Sequence, residues 1–207
     1  FLILLPIFML LLGSFSKFGP LQDGFSLLTL SFANYQRAFA DPHLLPAIQN
    51  SFIICFNGTI VAFLLGAPLA LVAVRTDVPF RKSIGTIALL PLFLPPLVAA
   101  IAWSLLASPK AGLLNVLLHA AGINLIIDFY SLTGMTLVLG IYYAPYIYMF
   151  IAAALRNMDP SLEEAALMSG NSNFRAMVTI TLPLIAPAIL ASTLLSFAVM
   201  LGIYSIP

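Results

Sequence analysis

Uncharged apolar runs alternate along this chain with short segments that carry nearly all of its charge. Residues 1–16, 47–74, 83–107 and 132–155 contain no Asp, Glu, Lys or Arg; from Ala176 the chain is again uncharged, and 184–206 is long enough for a further run. About 20 apolar residues cross a bilayer as a helix. None of the runs alternates polar and apolar residues with period two, which excludes a closed barrel, the other way to satisfy backbone groups in lipid. The pattern therefore predicts five membrane-spanning helices at these positions. A signal-peptide core is the alternative for 1–16, and the later spans favour a helix. Between the runs, 17–46 carries Lys17, Asp23, Arg37, Asp41 and His43 and reads as an external loop with short helices. Arg75, Asp77, Arg81 and Lys82 cluster around Pro79 as a short turn. Residues 109–131, with Lys110, His119 and Asp128, suit an interfacial helix better than a crossing.

Composition agrees. The chain has 207 residues, 62% hydrophobic and 7% charged, with a mean hydropathy of +1.10; a soluble domain carries roughly 25% charged residues. The lipid bilayer is the expected solvent. A net charge of +1 argues against a nucleic-acid surface. The single cysteine, Cys55, lies in an apolar run, so an intrachain disulfide is impossible and a buried, inert thiol is expected. Phe1 at one end and Pro207 inside an apolar run at the other read as cut ends, so a fragment is expected. Arg75, Arg81, Lys82, Arg156 and Arg175 fall on one side of a five-span topology, against Lys17, Arg37 and Lys110 on the other. That bias places the 156–183 loop in the cytoplasm.

The loop reads RNMDPSLEEAALMSGNSNFRAMVTITLP from Arg156. Asp159 followed by Pro160 is a helix start, with Asp as cap and Pro in the first turn; Ser161 and Glu164 offer a capping box instead. Gly170 supplies a left-handed stop after Ser169. Asn171 or Ser172 then caps a second helix, with Phe174, Met177 and Val178 on one face and Pro183 ending it where the last span begins. Leu162, Ala165, Ala166, Phe174 and Met177 would form an apolar face on a water-exposed loop, which calls for a partner protein or the membrane surface to cover it.

Glu164-Ala165-Ala166, three residues, Gly170, nine residues, Ile180, one residue and Leu182-Pro183 resemble the EAA loop of ABC importer permeases at each anchor position. Ser169 and Asn171 depart from the Asp and Ala that members often carry around the glycine. "LTLSFANYQRAF" and "RTDVPFRK" also look like segments of these permeases, "LLSFAVMLGIYSIP" looks like a segment of those for ferric iron and related substrates, and the chain as a whole resembles ferric-iron and polyamine permeases most. The resemblance implies an all-α integral membrane fold, the transmembrane domain of a type I ABC importer, as one domain over 1–207. It implies that the loop docks on a separate ATP-binding cassette subunit, which holds ATP and Mg. A second permease domain, fused or separate, and an extracytoplasmic solute-binding protein complete the implied assembly in a bacterial inner membrane. No cofactor is expected on this chain, and none of Lys17, Lys82 or Lys110 sits in a phosphate-binding loop. Ferric iron is the cargo suggested first, with polyamine, phosphonate, thiamine and sulfate as runners-up.

A pathway is less legible. Asn50, Asn57, Tyr142, Tyr146 and Ser196 are candidates to line it, but polar residues also join helices to one another, and both readings stand. Tyr142, Tyr143, Tyr146 and Tyr148 crowd Pro145; phenolates suit ferric iron, yet packing beside a proline bend is the favoured reading. Trp103 is expected at an interface or in packing, and His43 and His119 are too far apart to suggest a metal pair. The spans hold no Asp, Glu, Lys or Arg, which counts against an ion-coupled carrier. A membrane scaffold is the remaining rival.

Overall fold

A computed structural model describes residues 4–16 and 30–203 and the backbone of Lys82 without its side chain. The expectations for Lys17 and Asp23 lie outside the described residues. The chain forms two compact units, 1–50 and 51–207, each taken by itself.

In the first unit, α1 (Leu4–Phe15) and α2 (Ala33–Ala40) pack through aromatic rings, Phe15 lying 5.3 Å from both Phe32 and Tyr35. The last carbonyls of a helix have no partner within it. Here the Asn34 side-chain amide donates to Ser14 O at 3.2 Å and Ser16 O at 2.8 Å. α1 has 12 residues, about 18 Å of helix against a hydrocarbon core of about 30 Å. The described part of the expected first span is thus shorter than a crossing.

The second unit is built around three helices long and apolar enough to cross a membrane: α3 (Leu44–Arg75), which enters from the first unit, α7 (Leu132–Asn157) and the stretch Asn173–Leu201. α7 is the most enclosed of them, with Leu139, Ile147, Ile151 and Leu155 fully buried. Gly58, Ala62, Gly66 and Ala70 stand four residues apart on α3, and all four are buried. In lipid, helices associate by close packing rather than by hydrophobic transfer, and small residues let backbones approach. Gly66 shows how closely: a Cβ there would stand 2.5 Å from Ala144 O and 3.0 Å from Tyr148 N.

The span expected at 83–107 is a bent pair of helices. α4 (Arg81–Leu89) runs into a 3₁₀ turn (Leu90–Phe93), and α5 (Pro96–Leu106) leaves it after a bend of 99°. A residue before proline is pushed out of the helical region. Leu94 precedes Pro95 and Pro95 precedes Pro96, and their ψ angles are 128° and 139°. Two consecutive extended residues stop one helix, and Pro96 starts the next. Counting the pair as one span brings the described residues to four candidate crossings, not five.

α6 (Leu113–Ala120) is the short helix expected in 109–131. Asn115 holds its loop closed, accepting from Ile127 N at 2.7 Å and donating to Ser108 O and Ile127 O at 2.9 and 2.8 Å. After α7 come α8 (Ser161–Met168) and α9 (Asn173–Ala176), then a π-helical turn (Met177–Thr181) and α10 (Leu182–Leu201). The expectation that Pro183 ends the second loop helix is also corrected. α9 continues into α10 as one apolar stretch. Proline lacks an N–H and its ring crowds the carbonyl four residues back. The helix widens ahead of Pro183, and Leu182 N–H donates to Met177 O, five residues back.

Close approach at Gly66 makes a stability prediction. Gly66→Ala should destabilise the detergent-solubilised protein by about 1–3 kcal/mol through overpacking. Gly202→Ala, whose Cβ would stand 3.6 Å from its nearest neighbour, should cost clearly less. Thermal unfolding of the two variants side by side checks this.

Candidate functional site: the α8 loop

The loop is rigid at both ends of α8 for reasons visible in its residues. At the start, the Asp159 carboxylate accepts the Ser161 N–H at 2.9 Å. Hydrogen bonds from the Ser161 backbone, then from its hydroxyl, hold the Asp159 carboxyl below its usual pKa. Pro160 has helical angles, φ −62° and ψ −24°, and so preforms the first turn. At the far end Gly170 takes φ +84°. Its N–H donates to Leu167 O at 3.0 Å while Asn171 N–H donates to Ala166 O at 3.1 Å. These paired bonds form a Schellman stop, which needs a left-handed residue at that position. Ser172 then caps α9, its hydroxyl accepting Arg175 N–H at 3.3 Å.

Between these caps the helix presents an outward face. Leu162, Glu164 and Ala165 are exposed, Met168 is 90% exposed, and Phe174 on α9 is 71% exposed. Ala166, expected on that face, is instead buried at 8%. Met177 is half-buried. Ile180 lies half-buried in the π-helical turn, Leu182 packs against the core, and Pro183 is exposed beside it.

The inward face belongs to Glu163, which the sequence reading passed over. Its Oε1 lies 3.3 Å from Arg75 Nε at the end of α3. The same oxygen accepts the Thr181 hydroxyl at 2.5 Å. Thr181 is buried at 1% and closes the π-helical turn. A cavity of about 430 Å³ adjoins these groups, lined by Leu71, Arg75, Glu163, Asn173, Met177 and Thr181 among others. The signal available in the sequence was the doubled acid, Glu163-Glu164, in which neighbours on a helix must face different ways.

The candidate pathway residues do not form one polar cluster. Asn57 is exposed, and its amide donates to Ile53 O of its own helix at 2.9 Å. Asn50 is exposed on the first unit's part of α3. The Tyr142 hydroxyl donates to Leu94 O at 2.5 Å, satisfying a carbonyl at the proline break. Tyr146 is half-buried and its ring lies 5.4 Å from that of Tyr143. Ser196 is fully buried, and its hydroxyl has no hydrogen-bond partner among the described residues. No hydrogen bond joins any two of these residues to one another.

Residues 58–207 match the family model described as binding-protein-dependent transport system inner membrane component. A molybdenum transport system permease protein of Mycobacterium tuberculosis is 33% identical over 144 residues, covering 70% of this chain and 53% of that protein. An sn-glycerol-3-phosphate transport system permease protein of Salmonella typhimurium is 30% identical over 173 residues, 79% of this chain and 56% of that one. The chain thus spans about half the length of these curated relatives. Among solved structures, a bacterial ABC transporter involved in the import of the acidic polysaccharide alginate superposes with a TM-score of 0.69 at 23% identity. That match covers 98% of this chain and 70% of the other, and it shows the fold.

Two local predictions follow from the caps. Gly170→Ala should cost about 1 kcal/mol through its positive φ, not through a clash, since nothing lies within 4 Å of the added Cβ; amide exchange in α8 measures it. The Asp159 carboxyl titrates below its ordinary 3.8 in the folded protein. Its capping contribution is therefore complete above that value and is lost as pH falls through the lower folded value. Asp159→Ala should speed exchange of the Ser161 amide at neutral pH, and an unchanged rate would refute the cap.

Proposed function

Because the chain belongs to the family of binding-protein-dependent transport system inner membrane components, we propose that it is the membrane-spanning permease subunit of an ATP-driven importer. In this reading α8 is the docking helix for a separate ATP-binding subunit on the cytoplasmic side. The observation that carries it is the outward face of α8. A helix of eight residues is too short to be stable by itself, yet this one is fixed by side-chain and backbone caps while Leu162, Ala165 and Met168 face outward. A rigid, exposed apolar face suits a partner groove. Glu164 on the same face offers a polar contact to that groove, the small Ala165 allows close approach, and Gly170 sets the angle at which α9 departs.

The partner supplies ATP and Mg, and a second permease domain and an extracytoplasmic binding protein complete the importer. Ferric iron is the cargo suggested by sequence resemblance. The relatives above are named for molybdenum and sn-glycerol-3-phosphate, so similar permeases serve unlike cargos. We therefore place cargo choice on the binding protein, not on Asn57, Tyr142, Tyr146 or Ser196.

The test is co-purification of the ATP-binding subunit with the full-length chain. Glu164→Lys and Met168→Asp should each weaken association at least about tenfold, as loss of a central contact does, with thermal unfolding of the permease unchanged. Gly170→Pro should also weaken association by redirecting α9, here with some loss of stability, since proline can neither take the positive φ nor donate to Leu167 O. Normal association in all three variants would defeat the docking assignment.

A further inference from the structure

We propose that Glu163 is the positioning residue that transmits movement of α8 to the membrane helices, through a latch with Arg75 and Thr181. The inference rests on the docking reading of α8 and goes further, because it assigns the inward side of the same helix.

The chain itself joins α8 only to α7 and, through α9, to α10. α3 has no such peptide connection to α8. The link to it is the ion pair between Glu163 and Arg75, the last residue of α3. Both side chains are largely enclosed, at 20% and 22% exposure, so solvent screens the pair less than it does the exposed Arg81–Asp77 pair nearby. Oε1 of Glu163 also takes the Thr181 hydroxyl, so one carboxylate joins α3 to the foot of α10. Glu164, one residue on, is exposed and has neither partner.

The groups held are suited to transmit force. Thr181 ends the π-helical turn where the hydrogen-bond register of α9–α10 changes, a place where a helix yields more readily than in a regular stretch. Arg75 Nε and Nη2 are buried and have no hydrogen-bond partner among the described residues. A half-buried guanidinium whose Nε and Nη2 are turned from solvent gains more from a nearby carboxylate than an exposed one does. The adjoining cavity of about 430 Å³ leaves room for the pair to shift as α8 moves. Displacement of α8 would therefore carry the ends of α3 and α10 with it, instead of being absorbed by the loops.

The experiment needs no cargo. The full-length chain, co-expressed with the ATP-binding subunit, is followed by hydrogen–deuterium exchange with and without AMP-PNP and Mg. In the wild type, nucleotide should change exchange both in α8 and at residues 71–76 at the end of α3. Glu163→Ala should keep the ATP-binding subunit bound and the response in α8, while the response at 71–76 falls about tenfold. Thr181→Val, which preserves shape, should give a partial loss. The reversed pair, Glu163→Arg with Arg75→Glu, should restore the response, a rescue that a merely structural role would not produce. An undiminished response at 71–76 in Glu163→Ala overturns the latch, as does a wild type that binds its partner yet shows no response there. Loss of partner binding in Glu163→Ala also overturns it, by returning Glu163 to the docking face. A wild-type chain that binds no ATP-binding subunit overturns the docking reading itself, a different result.

Discussion

The contact between α3 and α7 decides where the other helices of the second unit can stand. Lipid tails are as apolar as the side chains they would displace, so two apolar helices gain little by hiding from them. What they gain is dispersion over a close fit, and that requires backbones near one another. Gly58, Ala62, Gly66 and Ala70 clear one face of α3, and at Gly66 the backbone of α7 comes so near that a methyl group would not fit. α7 is thereby enclosed along much of its length, and α10 packs against it in turn. The orientation that this ladder gives α3 also settles where Arg75, at its end, can reach. The guanidinium is delivered to the first turn of α8 because four small residues upstream fix the helix that carries it.

Prolines provide the second constraint, and their effects differ for physical reasons. Pro68 and Pro145 lie inside α3 and α7, and both helices continue past them. Each removes one backbone donor, a cost that a well-packed helix tolerates. Pro95 and Pro96 act together. Each forces the residue before it into an extended conformation, and no helix survives two such residues in succession. Tyr142 then becomes part of the break, since the Leu94 carbonyl is satisfied by its hydroxyl. Pro183 takes a middle course, widening the helix ahead of it without stopping it.

These distinctions mark what could be read from the residues alone. Uncharged runs located α3 and α7 well, because exclusion of charge is a property of a whole segment. The local chemistry of the α8 loop was equally legible: Asp159, Gly170 and Ser172 act on atoms within a few residues of themselves. The bend at Pro95 was not foreseen because average hydropathy carries no backbone angles, although the paired prolines were in plain sight. The run of α9 into α10 was missed because a proline at a helix start and one within a helix look alike until the hydrogen-bond register is known. Glu163 was out of reach for another reason. Its role depends on Arg75 and Thr181, which are distant in sequence and become neighbours only once α3, α8 and α10 are assembled.

The two acids of the doubled pair therefore divide the work of one short helix. Successive residues on a helix point about 100° apart, so Glu163 and Glu164 cannot both face the same neighbour. With Glu163 held by Arg75 and Thr181, Glu164, Ala165 and Met168 are turned outward as a consequence. The Asp159 cap, the Gly170 stop and the buried Ala166 fix the length and rotation of α8, and the inward bond ties the helix, so placed, to α3 and α10. An outward apolar face on so short a helix keeps a defined direction because both ends of the helix are capped. The docking surface and the latch are therefore two sides of one element, the outer face held by the caps and the inner bond tying that element to α3 and α10.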